Sequence, residues 1–272
     1  MILRRVLLGS RMLQRQAGFT LIELLVSLAI TAIVMTSVAS TFATQNHGSI
    51  QRDTYLEMEE NLRMAVSTLS SALRNAGYGV PTANLNVWIT EVSGFTNEPI
   101  VIQNGGGTIN IASCTPTSVA TLTAAATVPQ TTLTINSATE LTVGDLIWIG
   151  HSEFAKVMSV GTTLGIDTNP MASGTQGLAR DHGSGSPICR VDVHTYSLTQ
   201  DPWDGTKKVL RLDQHNGLDT YQQIVANDID SLQVTAVNVG KRYLLTMTGK
   251  TKDPYSTGYV TRTLTSDIAF VN

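Results

Sequence analysis

The chain has 272 residues, a formal net charge of −3 and only 14% charged residues, well under the roughly 25% usual in soluble domains. That length accommodates one large domain or two small ones around a real core, and the lack of basic excess argues against nucleic acid as a partner. The charge is unevenly placed: Arg4, Arg5, Arg11 and Arg15 fall in the first eighteen residues with no acid among them, and without them the remainder would stand at −7.

From Phe19 to Gln51 the only formally charged side chain is Glu23. Within that run Phe19–Ala39 is apolar for about 21 residues, about 31 Å as a helix, enough to cross a hydrocarbon core of about 30 Å. Four arginines before the span and none just after it place the leader in the cytoplasm and the rest outside. A secretory signal would put its small-residue cleavage site after the apolar core, whereas Gly18 precedes it. A plain anchor gives no reason for a carboxylate in the span, where an ionisable group costs roughly 2.5–3.5 kcal/mol near the centre and less toward the edge. A buried core helix is seldom apolar on every face for this length.

Gly18-Phe19-Thr20-Leu21-Ile22-Glu23-Leu24-Leu25-Val26 resembles the cleavage and methylation motif of type IV pilins and type II secretion pseudopilins. The resemblance implies that a prepilin peptidase cuts between Gly18 and Phe19 and N-methylates Phe19. It also implies that Glu23 pairs with the N-terminal amine of an adjacent subunit and fixes axial register. An eighteen-residue leader is long for this class; a start at Met12 would give the leader MLQRQAG.

Beyond the span, Tyr55, Met58, Leu62, Ala65, Val66, Leu69, Leu73 and Ala76 recur at spacings of three and four, one stripe of an amphipathic helix. Glu59 and Arg63 form a favourable i,i+4 pair, Gly48 is a place where the helix could bend, and Gly77, Gly79 and Pro81 supply a stop. Asn61-Leu62-Arg63-Met64-Ala65 with Leu73-Arg74-Asn75-Ala76-Gly77-Tyr78 further resembles PilW-like minor pilins and the related J-type pseudopilins.

After Pro81, short Thr/Val/Ile runs broken by Gly, Asn, Asp and Pro read as β-structure. The expected strands are Val87–Val92, Thr131–Ile135, Asp145–Ile149, Phe154–Val160, Arg190–Leu198 and Lys207–Leu212. They are followed by Ile229–Val237, Tyr243–Thr248 and Val260–Val271, and the last five of the series resemble the C-terminal meander of PilW-like proteins. The expected division is a leader at 1–18, a long helix at 19–78 with its membrane part at 19–39, and a β-rich domain at 79–272 carrying a β insert at about 122–174.

Cys114 and Cys189 stand apart from any zinc-type spacing. In an exported body a disulfide between them is favoured over two unrelated buried thiols. His47, His151, His182, His194 and His215 are scattered and read as surface or loop residues. Asp181-His182-Gly183-Ser184-Gly185-Ser186 misses the GxSxG spacing and reads as a flexible loop. Gly105-Gly106-Gly107 lacks the lysine of a phosphate loop and reads as a linker turn. Asp201-Pro202-Trp203-Asp204-Gly205 reads as a tight turn in preference to a calcium loop. Trp88, Trp148 and Trp203 read as core in preference to a sugar-stacking surface.

The sequence therefore implies an α+β, pilin-like fold: a long N-terminal transmembrane and filament-core helix on an antiparallel β-rich region. The expected function is a non-enzymatic minor pilin that starts or caps a type IV pilus, with no cofactor or metal. Its partners would be major and minor pilins, the prepilin peptidase, the inner-membrane assembly platform and membrane lipid. It would reside in the inner membrane with its globular part in the periplasm before entering the filament. The alternatives are a J-type pseudopilin and a tip adhesin or ligand-binding module.

Overall fold

A computed structural model of the chain describes residues 19–90, 92–114, 118–216, 219–238 and 242–269. The chain divides into two compact units, Met1–Gln51 and Arg52–Asn272. Helix α1 spans Leu21–Asn75 and contributes to both. In the first unit its side chains are exposed on every face as far as Ile50, and Gly48 lies within the continuous helix rather than at a break.

In the second unit α1 turns amphipathic. Met58, Leu62, Ala65, Leu69 and Leu73 are buried, the three-and-four spacing that puts one stripe against a sheet. Arg63 donates to Glu59 at 2.7 Å on the wet side. The helix ends where Gly77 and Gly79 adopt left-handed backbone, φ 79° and 62°, which glycine reaches without steric cost.

Two antiparallel sheets follow. The larger contains β1 (Ile100–Gln103), β2 (Thr108–Cys114), β3 (Ala120–Thr121), β4 (Thr132–Leu133), β5 (Leu146–Ile149), β6 (Glu153–Val160), β7 (Leu164–Asp167), β8 (Pro187–Gln200), β9 (Lys208–Asn216) and β10 (Asp219–Ala226). The smaller contains β11 (Ile229–Asn238), β12 (Arg242–Lys252) and β13 (Tyr259–Ala269). The long strand β8 is the hub. Its second half, from Val193, pairs with β9, its first half pairs with β3 and β5, and β2 runs along Val191–Ser197.

The hydrophobic core follows that topology. One cluster gathers Leu62, Leu69 and Leu73 of α1 with residues of both sheets, among them Ile111, Leu245 and Ile268. A second lies within residues 119–188 around Leu133, Ile147, Val157 and Ile166. A third joins Leu85, Trp88 and Phe95 to Leu146 and Val193. Each fully buried leucine or isoleucine contributes roughly 1.5–3 kcal/mol over its exposed state, so α1 is bound to its unit chiefly by this stripe.

Several sequence expectations are corrected. Val87–Val92 does not begin as a strand: Leu85–Trp88 is a short helix, α2, entered through left-handed Asn84. Leu85, Trp88 and Ile89 are all buried, and their i, i+3, i+4 spacing serves one helical turn as well as it serves a strand. The five C-terminal strands are not one meander, because β8 and β9 belong to the large sheet and β11–β13 to the small one. Strands β1, β2, β3, β7 and β10 were not expected. Gly105-Gly106-Gly107 is a turn, as expected: Asn104–Gly106 forms a single 3-10 turn that links β1 to β2 in a hairpin.

Trp203 is not core. It stands 84% exposed at the tip of the β8–β9 hairpin, where Asp201 Oδ1 accepts its backbone N–H at 2.8 Å. His182 is not a surface residue: it is buried, with Nε2 3.1 Å from Glu153 Oε2. The loop around it is tied down, since His182 and Ala126 exchange both backbone hydrogen bonds and Ser184 donates to Thr123 O.

Candidate functional site

The amino-terminal entry to α1 is built by local hydrogen bonding. Thr20 donates to Glu23 Oε2 twice, from its backbone N–H at 3.0 Å and from its hydroxyl at 2.9 Å. The Glu23 N–H donates back to Thr20 Oγ1 at 3.3 Å. This reciprocal pair is a capping box, which satisfies donors that the first turn of a helix leaves open. Thr20 was not singled out from the sequence, although threonine three residues before glutamate is the readable signature. Phe19, just outside the helix, is 87% exposed. Gly18 and the candidate starts Met1 and Met12 lie outside the described residues.

The helix beyond Glu23 presents apolar side chains on all sides, with Leu21, Ile22, Leu25, Leu28, Ile33 and Phe42 exposed. Its hydroxyls are satisfied internally. Ser27 donates to Leu24 O at 2.9 Å, Thr31 to Ser27 O at 2.7 Å, Thr36 to Ala32 O at 2.8 Å and Ser37 to Ile33 O at 3.0 Å. A hydroxyl bonded to its own helix backbone needs no water, which lets the segment enter an environment without any. Among the described residues, α1 is the one helix long and apolar enough to cross a membrane.

In the globular unit, Cys114 at the end of β2 and Cys189 on β8 are joined by a disulfide, with Cα atoms 5.9 Å apart. Both are buried. The bond ties β2 to β8 where β8 passes from the second cluster, at Ile188, to the third, at Val191 and Val193. A Cβ on Gly79 would lie 2.6 Å from Cys114 Cβ and from the Trp148 ring, so only glycine lets the chain leaving α1 cross this point. Trp148 in turn meets the Tyr78 ring edge-on at 5.6 Å and stacks with His151 at 4.7 Å.

A polar groove of about 560 Å³ lies between α1 and the large sheet of the second unit, lined by Ser67, Asn75, Asp192, His194, Tyr196 and Gln214 among others. Burial holds the His194 imidazole below its ordinary range, with Asp192 opposing the shift and His215 adding to it. Burial pushes the Tyr196 phenol up to about 12. Arg190 Nε donates to Asp192 Oδ1 at 2.6 Å. Glu153 and His182 form a structural pin, since Glu153 Oε1 also accepts the Ala179 N–H at 2.6 Å. Among the described residues no three His, Cys, Asp or Glu side chains converge as metal ligands.

An apolar helix with a carboxylate at its entry, joined to a helix-on-sheet unit, fits a membrane-anchored structural subunit. Residues 13–39 match the family model described as the prokaryotic N-terminal methylation motif. The match covers the amino-terminal segment alone and indicates a type IV pilin-like, prepilin-type amino terminus; such a motif suggests a structural subunit that meets other pilins and a prepilin peptidase. Neither the curated proteins nor the solved structures hold a match to this chain.

Proposed function

We propose that this chain is a minor pilin of the PilW-like kind, which helps initiate or cap type IV pilus assembly after prepilin peptidase processing. The observation that carries the reading is the Phe19–Glu23 segment: a methylation motif placed directly at the capped start of an exposed apolar helix. In this reading residues 1–18 are a basic leader, cut between Gly18 and Phe19 at the cytoplasmic face. Residues 19–78 form the helix, with 19–39 in the membrane, and 79–272 form the periplasmic β-rich domain with its insert at about 122–174. The helix waits in lipid and transfers into the filament, where neighbouring helices offer equivalent apolar contacts. Glu23 there faces the methylated amine of an adjacent subunit and sets the register.

The test is intact-mass and N-terminal peptide analysis of the membrane fraction, together with the composition of sheared filaments. The expected result is a mature chain beginning at N-methyl-Phe19 and present in the filament fraction. A cut after the apolar span, near Ala39 or Ala43, would refute the pilin reading. Co-purification with secretion-system components in place of pilus components would move the chain to the J-type pseudopilins.

A further inference from the structure

The β8–β9 hairpin carries a feature that assembly through α1 does not use. Pro202 and Trp203 lie at its tip, and Trp203 is 84% exposed. An indole this large is normally buried for most of its area, so leaving it in water is a cost the fold does not need. The turn that carries the ring is well held. Asp201 Oδ1 accepts the Trp203 N–H at 2.8 Å, Asp204 Oδ1 accepts the Thr206 N–H at 3.0 Å and its hydroxyl at 2.6 Å, and Asp201 and Lys207 close the hairpin backbone.

Beside the ring, Trp203 and Pro202 border a groove of about 390 Å³ whose other walls include Gln200, Arg211, Gln222 and Gln223. That volume lies within the roughly 300–1,000 Å³ of small-molecule sites. Arg211 is fixed in place: its Nη2 donates to Asp213 Oδ2 at 2.9 Å, and its Nε lies 2.9 Å from Asp213 Oδ1. Asp213 is nearly buried, so the guanidinium is oriented and its charge is matched.

These groups select a ligand class. A neutralised arginine gives little attraction to a free anion, but its remaining N–H groups still donate hydrogen bonds. Gln222, which the β9–β10 register puts on the same face of the sheet as Arg211, adds an amide donor and acceptor at the same opening. A flat aromatic face attracts C–H groups that carry partial positive charge, through the negative face of its quadrupole. A pyranose ring offers both requirements, with C–H groups on one face and hydroxyls around its edge. We propose that the groove at Trp203 and Arg211 is a carbohydrate-binding site for a neutral oligosaccharide, with Trp203 as the stacking platform and Arg211 and Gln222 as hydroxyl partners. The proposal does not depend on the machine that the subunit joins.

The test uses the full chain in a zwitterionic detergent without a sugar head group. Saturation-transfer NMR is recorded with maltohexaose and with the N-acetylglucosamine hexamer, for wild type, Trp203→Ala, Trp203→Phe and Arg211→Gln. Wild type is expected to bind at least one of the two with a Kd on the order of millimolar, and Trp203→Ala to weaken it about tenfold or more. Trp203→Phe, which keeps an aromatic face, should lose only about threefold and Arg211→Gln about fivefold. Melting temperature controls for folding, and the exposure of Trp203 makes an unchanged value the expectation. No transfer to either sugar at roughly 20 mM, about twentyfold above a Kd of about 1 mM, overturns the proposal, and so does equal affinity in Trp203→Ala. Loss of Trp203→Ala from sheared filaments without any sugar binding would also overturn it and make this face a subunit contact. Because sugar binding is read on the isolated chain, its failure leaves the processing and filament results standing.

Discussion

Glu23 has two possible jobs, and one substitution separates them. In the isolated chain its carboxylate closes a capping box with Thr20, a solvent-exposed contact that orders the first turn and reaches no further. In the proposed filament it also faces a cationic amine from a neighbouring subunit, and two unit charges about 4 Å apart attract by about 4 kcal/mol at an effective dielectric constant near 20. Glutamine completes a capping box as glutamate does, so Glu23→Gln keeps the cap and removes the charge. Thr20→Val does the reverse. We expect Glu23→Gln and Glu23→Ala to be cleaved and inserted normally but nearly lost from sheared filaments, while Thr20→Val assembles to within a few-fold of wild type. The measurement is quantitative immunoblotting of membrane and sheared-filament fractions, with crosslinking to neighbouring pilins. Wild-type assembly of Glu23→Gln would refute the register role. Equal loss in Thr20→Val and Glu23→Gln would show that capping alone explains the residue.

Two further outcomes follow from the globular unit. The Cys114–Cys189 bond spans a sequence separation of 75, which corresponds to about 4.5 kcal/mol of stabilisation in the chain-entropy model. The double variant Cys114→Ala/Cys189→Ala should therefore melt roughly 10 °C lower, and a reductant should lower the melting temperature of wild type only. Coincident melting curves, or two reactive thiols in mature unreduced protein, would contradict this. His194 should make the fold acid-sensitive: burial holds its folded pKa below the ordinary histidine value of about 6.5, so the unfolded chain takes up the proton first as pH falls. Stability is then full above about pH 6.5 and declines below it, and His194→Gln should show a smaller difference in urea midpoint between pH 7.5 and 5.5 than wild type does. An equal decline in both would place the acid sensitivity elsewhere.

What the sequence made legible was periodic. The stripe Met58, Leu62, Ala65, Leu69, Leu73 repeats with the helix, and Leu232 and Val234 alternate with exposed Gln233 and Thr235 on β11, so both elements could be read. Strand β2 could not, because it is buried almost throughout: Asn110 sits inside it, accepting from Thr195 at 2.8 Å, and a buried polar residue hides the pattern. Strand β10, Asp219–Ala226, opens with the polar run Asp219-Thr220-Tyr221-Gln222-Gln223 and pairs only with β9, which removes the apolar signal altogether. His182 lacked a sequence signature because its partner Glu153 is 29 residues away. Trp203 was misplaced because composition cannot show that a turn projects its ring outward. The motif at Phe19–Glu23 is plain in the sequence, and the Thr20–Glu23 bond inside it is readable from the spacing of three alone.

The exposed helix explains why so much of the functional reading falls on one carboxylate. Roughly a dozen large apolar side chains between Phe19 and Phe42 are exposed, and at about 1.5–3 kcal/mol each their hydration would cost more than the roughly 5–15 kcal/mol that holds a typical domain folded. Water is therefore not their working environment. Lipid and the interior of a helical bundle solvate them almost equally, so moving between the two changes the apolar term little and supplies little direction. Apolar contact is also tolerant of sliding, since a helix uniformly apolar on all faces packs in many registers at similar energy. The internally bonded hydroxyls of Ser27, Thr31, Thr36 and Ser37 have spent their donors and add little specificity. A charge is different in both respects. Its attraction to an opposite charge in a dry core is worth several kcal/mol at one axial position and falls steeply away from it. In the proposed assembly Glu23 is the group on this helix able to convert a permissive apolar transfer into a defined one, so a subunit without it should remain in the membrane, folded, processed and idle.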